Sequence, residues 1–249
     1  MIKQKEGRKA SGNIFDNTRE YYKCSWQNYY PTVIRLVPPK SYILDIGCGR
    51  AGLLQYLRDK KNCNVTGLDL SDDVIKICKD YNIKVIKCDL EEDEIPGTYD
   101  VIILSAVIEH LISPVSVLKK IRRNLNENGC IIIGFPNFSH LKARILYLLG
   151  KNVKRFGNDK KGAKLGVQSP GHINFFNKAT MEYILEKTGY TPIEWSYYKP
   201  PSIPKNLKLK FYKKIILLFV NGFYKIDHEL FSSFIAVKAV KKNEKIIFK

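Results

Sequence analysis

The sequence predicts an α/β fold, a doubly wound and mostly parallel sheet with helices on both faces. Three observations carry that prediction. Five short runs between residues 42 and 135 are rich in β-branched residues and almost wholly apolar, as strands buried on both faces are. Amphipathic stretches of about ten residues separate them, which is the rhythm of βαβ units. The first run ends in ILDIGCGRAG (residues 43–52), a glycine-rich turn between a strand and a helix.

Taken in order, the strands are expected at Tyr42–Ile46, Cys63–Asp69, Ile83–Cys88, Val101–Ser105 and Cys130–Phe135. Helical spacing covers Leu53–Lys60, Asp72–Tyr81 and Pro114–Asn124, with Ser71 as N-cap of the second. Asn128-Gly129 reads as the turn into the fifth strand. Beyond Asn137 the rhythm changes. Residues 138–150 predict a helix with Leu141, Ile145, Leu148 and Leu149 on one face, followed by a lysine- and glycine-rich mobile insertion, so that 138–170 forms a basic insertion. Asn177 begins a helix that Gly189 stops after Lys187. Then come a strand at Thr191–Tyr198, a proline-rich bend at Lys199–Pro204, a basic amphipathic helix over 205–226 and a last strand at Phe231–Val240. No internal repeat is visible, so residues 1–249 read as one domain, with an N-terminal segment over 1–40, a core over 41–137 and a C-terminal part over 171–249.

The chain has 249 residues and is 45% hydrophobic, enough for one sizeable core. Its six cysteines, Cys24, Cys48, Cys63, Cys78, Cys88 and Cys130, form no C-x-x-C pair and no metal-finger spacing. They read as free thiols of a reducing compartment. The first residues lack the apolar stretch of a secretory leader, and the longest apolar run, Ile215–Val220, falls far short of the roughly 18 residues that span a bilayer. A cytoplasmic protein is expected, with peripheral contact at the inner face of a membrane as a further option. The net charge of +18 is unevenly spread: residues 31–137 are neutral, whereas 138–168 carry +7 and 199–249 carry +9. Flanks of that kind suit an anionic partner, a lipid surface ahead of RNA, or are simply a solvated lysine-rich exterior.

The glycine turn poses a choice of cofactor. Asp45 stands two residues before Gly47 and would repel a dinucleotide pyrophosphate held there, but it favours the cationic amino-acid end of S-adenosylmethionine. Asp69 lies 20 residues past Gly49, the spacing that brings a carboxylate to ribose hydroxyls. Asp89, at the tip of the third strand, is placed to accept from an adenine amino group.

ILDIGCGRAG, VTGLDLS, KCDL, YDVIILSAVIEHL and NLNENGCIIIGFPN together resemble, in order, the motif series of class I S-adenosylmethionine-dependent methyltransferases, over residues 40–137. The resemblance implies a Rossmann-like sheet of seven strands with the last antiparallel, S-adenosyl-L-methionine as cofactor, and cofactor contacts from Asp45, Gly47, Cys48, Gly49, Asp69, Leu70, Asp89, Leu90 and Ser105. It also implies that the 1–40 segment folds as a lid, with Tyr21, Trp26 and Tyr30 placed to wall an acceptor site. Arg50-Ala51 departs from the small or hydroxyl residue more usual after the second glycine.

Catalytic candidates are Glu109, His110 and His172, at or beyond the carboxyl ends of the fourth and fifth strands. The E-H-L element followed by P-N and a later H-x-x-F resembles the O-methyltransferases of quinone and glycan pathways, and also small-RNA 2′-O-methyltransferases that hold a divalent ion. In the latter comparison Glu109, His110 and His172 match three of the four metal positions and the first glutamate position falls on Ala106, so an acid/base role is expected ahead of a divalent metal and no residue is assigned to a metal. His140 and His228 read as structural or surface residues. The expected reaction is O-methylation of a glycan, lipid-linked sugar or quinone-like small molecule. The alternatives are RNA 2′-O-methylation and a non-catalytic cofactor-binding module of the same fold.

Overall fold

The structure is a computed structural model that describes residues 27–150, 172–199, 222–224 and 226–242. Its elements are α1 (Tyr30–Ile34), β1 (Tyr42–Ile46), α2 (Gly52–Lys61), β2 (Asn64–Asp69), α3 (Asp72–Asp80), β3 (Lys84–Lys87) and β4 (Tyr99–Ser105). After a 3-10 turn at Ile108–His110 come α4 (Pro114–Ile121), β5 (Leu125–Pro136), α5 (Leu141–Leu148), α6 (Lys178–Lys187), β6 (Tyr190–Tyr197), α7 (His228–Phe231) and β7 (Phe234–Lys241). The seven strands form one sheet in the order β3-β2-β1-β4-β5-β7-β6. All neighbouring pairs are parallel except those of β7, which runs antiparallel to both β5 and β6. The fold class expected from the sequence is therefore the observed one.

The continuous apolar runs follow from two-sided burial. Leu44 and Ile46 of β1, Ile102 and Leu104 of β4, and Ile131 and Ile133 of β5 enter one core layer. Their alternating neighbours Ile43, Val101, Ile103 and Ile132 enter the other. Helix ends behave as the sequence suggests: the Ser71 hydroxyl accepts from the Val74 N–H (3.4 Å), and Asn177 and Thr180 cap each other reciprocally. Gly189, at φ +81°, takes the left-handed turn after α6.

Three expectations need correction. β5 starts at Leu125, not Cys130; Asn128-Gly129 lies in a bulge where the pairing jumps from Tyr99–Leu125 to Val101–Cys130. β3 is an edge strand with exposed Lys84 and Lys87, so only one of its flanks is paired. On α5 the apolar face does not enter the core: Ala143 is buried, whereas Ile145, Leu148 and Leu149 are exposed. Tyr21, Trp26, the insertion from 151 to 171 and most of the expected helix over 205–226 lie outside the described residues, although 222–224 are helical. Among the described residues no helix is long and apolar enough to cross a membrane.

Candidate functional site

The chain reverses its direction of travel across the sheet between β1 and β4, which are neighbours, and a crevice forms at their carboxyl ends. Gly47 follows β1 directly. Its φ is +67°, and a Cβ there would come within 2.5 Å of Val107 Cγ2, so both conformation and space demand glycine. Gly49 also has a positive φ, but a Cβ on it would meet nothing within 4 Å; the backbone there borders open space. The Gly49 N–H donates to Asp69 Oδ2 (3.1 Å) and the Ser71 N–H to Asp69 Oδ1 (3.0 Å). These bonds pin the carboxylate at the tip of β2 while each oxygen keeps acceptor capacity.

Asp45, the penultimate residue of β1, is buried at the base of the glycine turn. Desolvation, then the nearby Asp69 and Cys78, push its carboxyl up to about 8. At the tip of β4 the Ser105 hydroxyl is buried without a hydrogen-bond partner. Asp89 is half-buried, and its Oδ1 accepts from the Glu91 N–H at 3.0 Å. Three expected contacts sit differently from the rest. The Cys48 side chain is 3% exposed and packs behind the turn with Ala51, Leu54 and Cys78, and its N–H donates to Leu68 O (3.3 Å). Leu90 is buried in the main core, whereas Leu70 is 59% exposed at the rim.

These features fit S-adenosylmethionine. Space over Gly49, an unpartnered Ser105 hydroxyl, an anchored Asp69 and a buried acid that a cation would ionise are the groups its nucleoside and amino-acid ends call for.

A second cluster follows β4. Glu109 lies in the 3-10 turn, fully buried, and neither carboxylate oxygen has a hydrogen-bond partner. Burial pushes its carboxyl up to about 7. His172 Nε2 stands 3.8 Å from Glu109 Oε1, His172 Nδ1 is buried without a partner, and the His110 ring lies 4.6 Å from that of His172. Burial, then His110, holds the His172 imidazole below its ordinary value. One ligand atom from each of the three residues falls within a 4.8 Å group, so the set has the donors and spacing to hold a metal ion. The structure thus brings together all three catalytic candidates despite the 62 positions between His110 and His172.

What holds them together was not visible in the sequence. The Glu109 carbonyl accepts from both the Ile173 N–H (2.9 Å) and the Asn174 N–H (3.1 Å), and Asn174 Nδ2 donates to Leu111 O (2.6 Å). Asn137, beyond β5, is structural: its buried amide donates to Glu229 O and Ser232 O. His140 is buried and bonded through Nδ1 to Asn137 O, and His228 is exposed, as expected of structural and surface residues. Tyr29 was also missed. It stacks on Phe234, and its phenol is raised first by burial and then by the charges of Glu109 and Asp45, so it sits in the field of both clusters. Tyr30 packs beside it against the sheet. A separate cavity of about 670 Å³ lies at the opposite edge of the sheet, lined by Lys40, Asp100, Asn126 and Lys238, away from all these groups.

A seven-stranded sheet in this order, with its carboxylates at the tips of β1 and β2, defines a class I S-adenosylmethionine-dependent methyltransferase fold. The chain belongs to the methyltransferase-domain family, which matches residues 18–194. It is similar to a ubiquinone biosynthesis O-methyltransferase of Nitrosomonas europaea, with 27% identity over 64% of this chain and 77% of that one. It is also similar to a probable (S)-tetrahydroprotoberberine N-methyltransferase of Papaver bracteatum, with 35% identity over 36% of this chain, and it spans only 28% of that relative's length. A methyltransferase structure from Archaeoglobus fulgidus shares the fold at TM-score 0.55 and 20% identity, over 92% of this chain and 100% of the other.

Proposed function

We propose that this chain transfers a methyl group from S-adenosylmethionine to an oxygen of a small organic acceptor, of the glycan, lipid-linked sugar or quinone-like kind. The observation that carries the oxygen reading is the buried, unpartnered Glu109 carboxylate beside His172. An alcohol or phenol must lose its proton as it attacks, and a carboxylate–imidazole pair provides a place for it. The similarity to relatives named as O-methyltransferases supports the same reading.

When bound, S-adenosylmethionine supplies an activated methyl group on its sulfonium. The chain's own residues do the rest. Asp69 accepts from ribose hydroxyls, Asp45 ionises against the cationic end, and Ser105 offers its hydroxyl near the reacting side of the crevice. Glu109 and His172 take the acceptor's proton, with His110 beside them.

The 4.8 Å grouping of Glu109, His110 and His172 favours a second reading, in which a divalent ion held there binds the acceptor oxygen and lowers its pKa. Thermal unfolding separates the readings. S-adenosylhomocysteine at about 100 times its dissociation constant should add about 2.7 kcal/mol of stability, and NAD should add none. A further shift with magnesium or manganese promotes the metal reading. Under the base reading, Glu109→Gln lowers turnover by about 100-fold or more with cofactor affinity retained. Full activity in that variant overturns both readings.

A further inference from the structure

We propose that α5 and the rim of the candidate acceptor site form a docking surface for an anionic bilayer. The face of α5 that the sequence marks as apolar is open: Ile145 is 47% exposed, Leu148 86% and Leu149 60%. These positions follow the i, i+3, i+4 spacing of one helix face. Ile173 and Phe175, in the irregular segment that carries His172, are 55% and 48% exposed, and Ile112, three residues past Glu109, is 82% exposed. Phe138 ties the patch to the site, since its ring lies 4.7 Å from Phe175 and 6.2 Å from His172.

An exposed apolar patch of this kind marks an interaction surface. Its charge chooses the partner. Lys142 and Arg144 flank the apolar face on α5, and neither the helix nor the described residues beside it, from 138 to 150, carry an acidic side chain. On α5, apolar side chains bordered by cations with no carboxylate on the helix are what an interfacial helix presents to acidic headgroups. A folded protein partner would have no need of so one-sided a charge. RNA would be served by the cations but not by exposed leucines. The surface stands whether or not the methyl-transfer reading does, because it rests on exposure and charge alone. Its position beside His172 means that a docked protein would hold the candidate acceptor site against the membrane.

The test is co-sedimentation of the full chain with vesicles of phosphatidylcholine alone and with about 30% phosphatidylglycerol. Wild type should pellet with the anionic vesicles and stay in solution with the neutral ones. Leu148→Ser combined with Leu149→Ser should reduce the bound fraction about tenfold while leaving the melting temperature unchanged, and Lys142→Glu should weaken binding in the same direction. The proposal is overturned by wild type that ignores anionic vesicles, by a double variant that binds them as wild type does, or by a double variant whose melting temperature falls. The last would mean that the face is packed by this chain or a second copy. Retention of a poly-uridine RNA in place of the vesicles also overturns it.

Discussion

With its carboxyl pushed up to about 8, Asp45 carries a proton in the ligand-free protein at neutral pH. In the unfolded chain an aspartate ionises near about 3.9. Between about pH 4 and pH 8 the folded state therefore binds more protons than the unfolded one, and the stability from this group, complete below pH 4, declines as pH rises to 8. A cationic ligand end reverses the preference. Binding of S-adenosylhomocysteine should release a proton, and its affinity should rise from about pH 5.5 to 7, which calorimetry in two buffers of different ionisation enthalpy would detect. Asp45→Asn should act with opposite signs on the two equilibria. It removes a buried ionisable acid, so the ligand-free protein should gain about 1–3 kcal/mol at neutral pH in a denaturant titration. It also removes the partner of the cation, so S-adenosylhomocysteine should bind more weakly. A variant that is less stable yet binds normally would show that Asp45 is a structural acid with no ligand.

Between elements, the decisive contact is the clamp of the 3-10 turn by residues 172–174. Asn174→Ala removes the bond to Leu111 O while leaving the two backbone bonds to Glu109 O in place. Turnover should fall several-fold with S-adenosylhomocysteine affinity unchanged, and stability should drop by about 1 kcal/mol. Equal losses in both would move Asn174 to the cofactor side. The contrast between this clamp and the strands shows what a sequence makes legible. Ile43, Ile103 and Ile132 announce themselves because two-sided burial leaves their runs almost wholly apolar. Asp45 and the glycines are legible because they fall together at the end of one strand, and Asp69 because it closes the next one. The bulge before Cys130 is not, since the shift from Tyr99–Leu125 to Val101–Cys130 is a matter of register against β4, which residue type at Asn128-Gly129 does not encode. The apolar face of α5 was legible as a face but not as an exposed one, because periodicity does not say what a face meets. The pairing of Glu109 with His172 came from family resemblance, and the backbone bonds that enforce it leave no mark on residue type.

On the scale of the whole molecule, charge and architecture divide the chain in the same place. The neutral stretch from 31 to 137 builds β1 to β5 and the crevice at their carboxyl ends, and most of the basic excess lies beyond it. The sheet does not respect that division, because β7, near the end of the described chain, is the strand that pairs with β5 from Cys130–Val240 to Pro136–Phe234. A chain truncated after residue 200 should therefore keep every cofactor motif and still collect in the insoluble fraction, with an edge of three consecutive isoleucines, Ile131, Ile132 and Ile133, left unpaired. A soluble, S-adenosylhomocysteine-binding truncation would refute this. The same arrangement sets a clock during synthesis. The ribosome must add everything from 137 to 233 before β7 can begin to form, which at ordinary elongation speeds takes about 5 to 20 seconds. For that interval the most aggregation-prone edge of the nascent protein is open, so the yield of active protein in the cell should depend on chaperone capacity and translation speed as much as on the stability of the finished fold.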